Sequence, residues 1–189
     1  MRKIGSALAG TVLGLGMGTA VLTAPALAEE RTCRGTIGAV TLDNVRVPQG
    51  AKCTLKGTRI KGTLKVEKRA TLVARGVKVV GNVQAEGAAR VTVTAGSVVD
   101  GSVQVKQGGA ATVEYSRIKS DIQFDANGRY LKVNGNRVGG SIQVVGNRGG
   151  AEIRRNKVNG NLQCKENRPA PTGSGNIVGG NKEGQCRRF

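Results

Sequence analysis

The segment VGGSIQV (residues 138–144) returns twenty residues later as VNGNLQC (residues 158–164). Its first valine belongs to a series of apolar anchor residues that recur every 19 or 20 positions: Ile60, Val79, Val99, Ile118, Val138, Val158 and Val178. A spacing this regular indicates that one structural unit is stacked on itself along the chain.

Each unit continues in the same way after its anchor. A glycine usually follows two positions later, and apolar residues then alternate with polar ones, as at Ile142 and Val144. This alternation is typical of a strand with one buried face. A second strand is predicted after a glycine-rich corner, for example at LKV (131–133) and AEI (151–153).

These features predict an all-β fold, a single-domain parallel β-helix of about six to seven coils of 19–20 residues. We expect it to be right-handed, because parallel crossover connections within one sheet almost always are. No helical period is visible after residue 28. The regular coils are expected to span residues 57–165, between an N-terminal cap with a first coil at 29–56 and a C-terminal capping coil at 166–189.

The first 28 residues resemble a secretory signal peptide. Arg2 and Lys3 precede an apolar run rich in glycine and alanine, and small residues at ALA (26–28) fit a signal-peptidase site. Cleavage there predicts a secreted, extracellular protein, with a cell-wall association as one further expectation and no transmembrane segment left after processing.

Two disulfides are predicted from the four cysteines of this exported chain. Cys33 and Cys53 are 20 residues apart, and Cys164 and Cys186 are 22 apart, so each pair spans close to one repeat at one end of the array. We therefore favour these two pairs among the three possible pairings. A metal site is not expected, because the chain has no histidine and no C-x-x-C motif.

Breaks in the repeat are expected at both ends of the array. The segment RPAPTGSG (168–175) stands where the last second strand should be, and its prolines cannot donate to a strand ladder. VRVPQG (45–50) is predicted to be a similar interruption near the start. We expect such terminal coils to discourage further stacking.

The charge of the chain is strongly positive. It carries 30 basic and 12 acidic residues, and the predicted signal contains two of the basic ones, so the mature chain has a net charge of +16. Five of the seven residues that directly precede the anchors are basic: Arg59, Lys78, Arg117, Arg137 and Lys157. This basic column is our candidate anion-binding site.

A second interpretation of the basic column needs no ligand. Its long side chains would splay into solvent, helped by scattered acids such as Glu114 and Glu152, and the charge would serve solubility alone. Aromatic residues make up only 2% of the chain, so stacking on nucleic-acid bases is not favoured. Any contact with a polyanion would therefore be electrostatic, without specificity for a nucleic acid.

Polar residues form two further rows. An outer glutamine ladder is predicted between two inward apolar rows: Gln84, Gln104, Gln123, Gln143 and Gln163. Its amides could stabilise the stack by bonding along the ladder, or could offer a flat face to a glycan or wall polymer. Asn136, Asn156 and Asn176 are expected at a corner in a structural role.

The units VVGNVQA (79–85) and VDGSVQV (99–105) resemble the repeats of bactofilins, over about residues 57–165. That resemblance implies a right-handed parallel β-helix core and an ability to polymerise. With its signal peptide and paired cysteines, the whole chain is more similar to secreted, disulfide-capped β-helix proteins of Gram-positive bacteria.

Together these observations predict a non-enzymatic, cationic β-helix with a structural or adhesive role at the cell surface. Its expected partner is an anionic cell-wall polymer or another polyanion, and it should be a monomer or a small oligomer without a cofactor. One alternative is a bactofilin-like self-assembling polymer. Another is a polysaccharide lyase, although Asp100, Asp121 and Asp125 show no recognisable calcium or acid–base spacing, and no catalytic residue is assigned.

Overall fold

Three parallel β-sheets form the sides of a β-helix in the computed structural model, which describes residues 29–189. Each coil contributes one strand to each sheet in turn, and no helix occurs within that range. The parallel β-helix fold is thus confirmed, whereas the predicted signal peptide lies outside the described residues.

The strands of the three sheets are as follows. The first sheet contains Glu30–Thr32, Asn44–Val47, Leu64–Val66, Val83–Glu86, Val103–Lys106, Ile122–Asp125, Ile142–Val145, Leu162–Lys165 and Lys182–Gly184. The second contains Gly35–Ile37, Lys52–Lys56, Thr71–Arg75, Arg90–Thr94, Ala110–Glu114, Leu131–Asn134, Ala151–Arg154 and Thr172–Ser174. The third contains Thr41–Leu42, Arg59–Ile60, Lys78–Val79, Val98–Val99, Arg117–Ile118, Arg137–Val138, Lys157–Val158 and Ile177–Val178.

The core is a continuous column of apolar side chains inside the helix. Equivalent positions of successive coils pair directly, so that Ile142, for example, lies between Ile122 and Leu162. Phe124 is the largest fully buried side chain among residues 29–189 and lies between Val105 and Val144 of the adjacent coils. Burial of a fully enclosed aliphatic or aromatic side chain contributes roughly 1.5–3 kcal/mol, so the stacked rows hold the coils together.

Residues 29–189 form eight coils, not six to seven. Eight complete coils are followed by a ninth strand in the first sheet, Lys182–Gly184. The prediction was wrong at the N-terminal end because Pro48 suggested an interruption. In the structure Asn44–Val47 is a strand, with Val45 and Val47 buried, and Pro48 directly follows its end.

The proline-rich segment near the C-terminus also keeps part of its strand. Thr172–Ser174 pairs with residues 152–154 of the preceding coil, directly after Pro171. It is shorter than most other strands of the second sheet and lies in a half-exposed position. The predicted interruption is therefore a shortened strand.

Buried asparagines hold two of the three corners. Between the first and second sheets lie Asn127, Asn147 and Asn167, and between the second and third lie Asn136, Asn156 and Asn176. In each row an amide nitrogen donates to the side-chain oxygen of the next coil at 2.9–3.0 Å. The same oxygen accepts a backbone N–H from the coil before it. These hydrogen bonds support the structural role expected for Asn136, Asn156 and Asn176. The row of Asn127, Asn147 and Asn167 was not predicted from the sequence.

Disulfides join each terminal coil to its neighbour. Cys33 is bonded to Cys53 and Cys164 to Cys186, the pairs that the repeat spacing favours. Their Cα–Cα distances are 5.6 Å and 5.2 Å, which are ordinary for disulfides. Such bonds indicate an oxidising environment. Residues 29–189 contain no helix long and apolar enough to cross a membrane.

Candidate anion-binding face

The third sheet places the basic column on the outside of the β-helix. Its strands have only two residues, of which the anchor points into the core and the preceding residue points outward. The strand register aligns Arg59 with Lys78, and Arg117 with Arg137 and then Lys157. Neighbouring strands of a sheet lie about 4.8 Å apart, so one basic side chain follows another at that spacing.

All five basic residues of this column are exposed. Val98 occupies the position between Lys78 and Arg117 and is half-buried, so the column has an apolar break. Beyond the break, Arg117, Arg137 and Lys157 occupy three successive coils.

Carboxylates near the column lie in the row directly after the anchors. The Lys61 ammonium is 3.0 Å from an Asp43 oxygen, and the Lys119 ammonium is 2.9 Å from Oδ1 of Asp100. That Oδ1 atom is buried. It lies within ion-pair distance of the ammonium group, but the geometry of the contact does not meet the angles of a hydrogen bond. Within residues 29–189, no ion pair involves any of the five column residues.

Asp100 is the acid whose electrostatic environment includes the column. Contact with Lys119 lowers the pKa of its carboxyl group most, against the opposing effect of partial burial. The positive charges of Lys78 and Arg59 lower that pKa further. Lys78 and Arg59 therefore lie near a carboxylate that stays ionised at neutral pH.

The two acids expected to balance the positive charge of the column do not lie beside it. Glu114 lies on the second sheet, 3.0 Å from the Lys132 ammonium, and this contact raises the pKa of Lys132. Glu152 is on the same sheet and accepts hydrogen bonds from Asn134 at 2.6 Å and Tyr130 at 3.2 Å. The expectation that they help the column was wrong, because buried corner residues, Ser116 in one coil and Asn156 in the other, separate the two sheets.

A shallow groove of about 590 Å³ runs beside the C-terminal part of the column. Arg117, Arg137 and Lys157 line it, together with Lys119, Gly139 and Asn159. A side chain at Gly139 would collide with the carbonyl group of Lys119, so the glycine both permits close stacking and leaves the groove open. The groove is thus lined by four cations and by neutral residues, without a carboxylate.

The outer glutamine ladder lies on the first sheet. Its members pair in register from Gln84 to Gln163 and are exposed or half-exposed. At its end Gln163 donates a hydrogen bond to Glu183 at 3.0 Å. Gln84 and Gln104 line a second groove of about 750 Å³, whose rims carry both Lys and Glu side chains. Mixed charge makes this groove less suited to a polyanion than the third sheet is.

Comparison of the chain with protein-family models, with curated proteins and with solved structures finds no match. Among residues 29–189, no group of three or more His, Cys, Asp or Glu side chains could hold a metal ion. The function is therefore inferred from the surface chemistry, in which the basic column places five exposed cations in one row.

Proposed function

We propose that this chain is a secreted, non-enzymatic β-helix that binds an anionic polymer of the cell surface through the basic column, in a structural or adhesive role. One observation carries the proposal: five exposed basic side chains share one outer row, three of them on successive coils, and none forms an ion pair with a carboxylate of the described residues. The disulfides support a place outside the reducing cytosol.

Electrostatics explains why such a row attracts a polyanion. Like charges held about 5 Å apart repel one another, and salt screens this repulsion only in part at that distance. A linear polyanion lying along the row would relieve the repulsion and release its own counterions, which favours binding at low salt. The rigid sheet holds the basic residues in line, so the protein loses little conformational entropy when the polymer binds.

A five-site charge variant tests the proposal. Replacing Arg59, Lys78, Arg117, Arg137 and Lys157 with glutamine is expected to weaken binding to purified teichoic acid at least tenfold at about 0.1 M salt. The plot of log affinity against log salt should become shallower, by roughly 0.7 for each lost contact. Folding should survive, because all five side chains are exposed and the anchors are unchanged. Titration at several salt concentrations measures both effects.

The control variant removes the same charge from other surfaces. Lys52, Lys68, Arg90, Lys106 and Arg129 are all exposed and lie outside the third sheet. Their replacement by glutamine is expected to weaken binding less than threefold. Equal losses in the two variants would mean that net charge, and not the column, accounts for binding.

Self-assembly is the alternative function, and the ends of the β-helix bear on it. A bactofilin-like filament needs coils that stack end to end, but each terminal coil here is tied to its neighbour by a disulfide, and the last strand of the second sheet is short. Sedimentation of the mature protein at high concentration is therefore expected to show a monomer or small oligomer. Long filaments in electron micrographs would favour the alternative.

A further inference from the structure

The break at Val98 divides the basic column into two unequal parts. Arg59 and Lys78 form a pair on the N-terminal side, and Arg117, Arg137 and Lys157 form a triplet on the C-terminal side. Val98 pairs with Lys78 on one side and with Arg117 on the other, so it is the sole uncharged position between them.

The two parts differ in how much of their charge is already balanced. Asp100 directly follows the third-sheet strand Val98–Val99, and its backbone N–H donates to the carbonyl oxygen of Val79, the neighbour of Lys78, at 2.8 Å. Its side chain is 21% exposed. The charges of Lys78 and Arg59 help to keep its carboxyl group ionised, so this carboxylate in turn offsets the field of the pair. Asp43 lies on the same side of the break, next to Lys61.

The triplet has no carboxylate in the row after its anchors. That row carries Lys119, Gly139 and Asn159, and the Lys119 ammonium lies 2.9 Å from Asp100 of the preceding coil. The three basic side chains line the 590 Å³ groove and remain exposed. Two of them are arginines, whose planar guanidinium groups can donate two parallel hydrogen bonds to one oxyanion.

We propose that the triplet is the polyanion contact, that it takes about three successive oxyanion groups spaced about 5 Å apart on a linear polymer, and that Asp100 is an internal counterion that keeps the Arg59–Lys78 pair out of the contact. This inference rests on the proposed function and narrows its site. Both phosphodiester and carboxylate groups have the required chemistry, and the test below distinguishes them.

Two double variants with equal charge loss separate the parts of the column. Binding is measured with glycerol-phosphate oligomers of two to eight units and with galacturonate oligomers of the same lengths, at about 50 mM salt. Arg117→Gln with Arg137→Gln is expected to weaken binding at least tenfold, and Arg59→Gln with Lys78→Gln less than twofold. For the unaltered protein, affinity should stop rising at about three units.

The role of Asp100 is tested by neutralising it. Asp100→Asn should strengthen binding of the longer oligomers about fivefold and move the plateau beyond three units. Asp125→Asn is the matched control, since Asp125 is exposed on the first sheet and its replacement changes the net charge equally. Thermal unfolding of each variant verifies that the fold is retained.

The outcomes separate this inference from the proposed function. Equal losses in the two double variants, or equal gains in the two Asp→Asn variants, would overturn the division of the column while leaving the column itself as the site. Loss of binding in neither the double variants nor the five-site variant would overturn both. Preference for one oligomer series assigns the oxyanion, and binding of neither series contradicts the triplet site.

Discussion

Replacing Asn147 with alanine is expected to lower the free energy of unfolding by about 4 kcal/mol. The Asn147 side chain connects three coils at a buried corner. Its oxygen accepts the backbone N–H of Asn127 at 2.8 Å and the side-chain amide of Asn127 at 3.0 Å. Its own amide donates to the Phe124 carbonyl at 3.0 Å and to the Asn167 oxygen at 2.9 Å. Truncation removes these four hydrogen bonds, although the Asn127 amide keeps its bond to the Val105 carbonyl and the Asn167 oxygen keeps the Asn147 backbone N–H. Each buried group left without a partner costs about 1–3 kcal/mol, with partial relaxation reducing the sum.

Urea unfolding followed by far-UV circular dichroism, with the disulfides intact, measures the effect. Asn159→Ala is the matched control, because Asn159 is exposed beside the third sheet. Its replacement should change the stability by less than about 0.5 kcal/mol. A loss below about 1 kcal/mol in Asn147→Ala would show that water or a local rearrangement satisfies the orphaned groups.

The asparagine rows show what sequence reasoning recovered and what it missed at the corners. Asn136 and its equivalents were recognised as structural, and Asn127, Asn147 and Asn167 repeat at the same twenty-residue interval. The interval was thus a usable signal for the row of Asn127, Asn147 and Asn167 as well. The interval alone does not show whether a polar row is buried, because the exposed glutamines repeat just as regularly. Burial depends on the direction in which each corner turns.

Most of the fold could be predicted because each coil pairs with its neighbour at the same position of the repeat. A row found in the sequence therefore becomes a row in the sheet, as for Leu64, Val83 and Val103. The third sheet was harder to recognise as a sheet, since its strands have two residues and one alternation carries little pattern. The coil count failed at Pro48 because a proline just past a strand looks the same in sequence as a proline within one.

The candidate site, too, could be predicted only in part from the sequence. Membership of the basic column follows from spacing, but its counterions do not. Asp100 meets Lys119 of the next coil through the reach of two side chains, a contact that no repeat interval encodes. Glu114 is only three residues before Arg117, yet it lies on the second sheet and not on the third, because the chain turns at the buried corner residue Ser116 between them.

The second large effect is expected at the glycines that follow the anchors. This row consists of Gly62, Gly81, Gly101, Ser120, Gly140, Gly160 and Gly180. A Cβ atom on Gly160 would lie 2.8 Å from the carbonyl oxygen of Gly140 and 2.9 Å from its carbonyl carbon. These backbone atoms cannot withdraw freely, because the Gly160 N–H donates to the same carbonyl oxygen at 2.8 Å. Gly160→Ala is therefore expected to lower the free energy of unfolding by about 2–3 kcal/mol.

Ser120 shows what a side chain does in this row. Its N–H lies 3.4 Å from the Gly101 carbonyl oxygen, whereas the corresponding distances at Gly81, Gly101, Gly140, Gly160 and Gly180 are 2.8–3.1 Å. The chain thus accommodates one Cβ by lengthening one hydrogen bond. A second at Gly160 would add to that displacement only two coils away, which is why we expect a cost there.

Gly38→Ala is the control for this substitution in the same urea experiment. A Cβ on Gly38 would meet no atom within 4 Å, and the residue lies in the first coil, outside the stacked row. Its replacement should leave stability unchanged or raise it by about 0.5 kcal/mol, since alanine reduces the freedom of the unfolded chain. If Gly160→Ala proves as mild as Gly38→Ala, coils of this β-helix can separate locally to admit a side chain. Close stacking at the carbonyl row would then not be what requires glycine there.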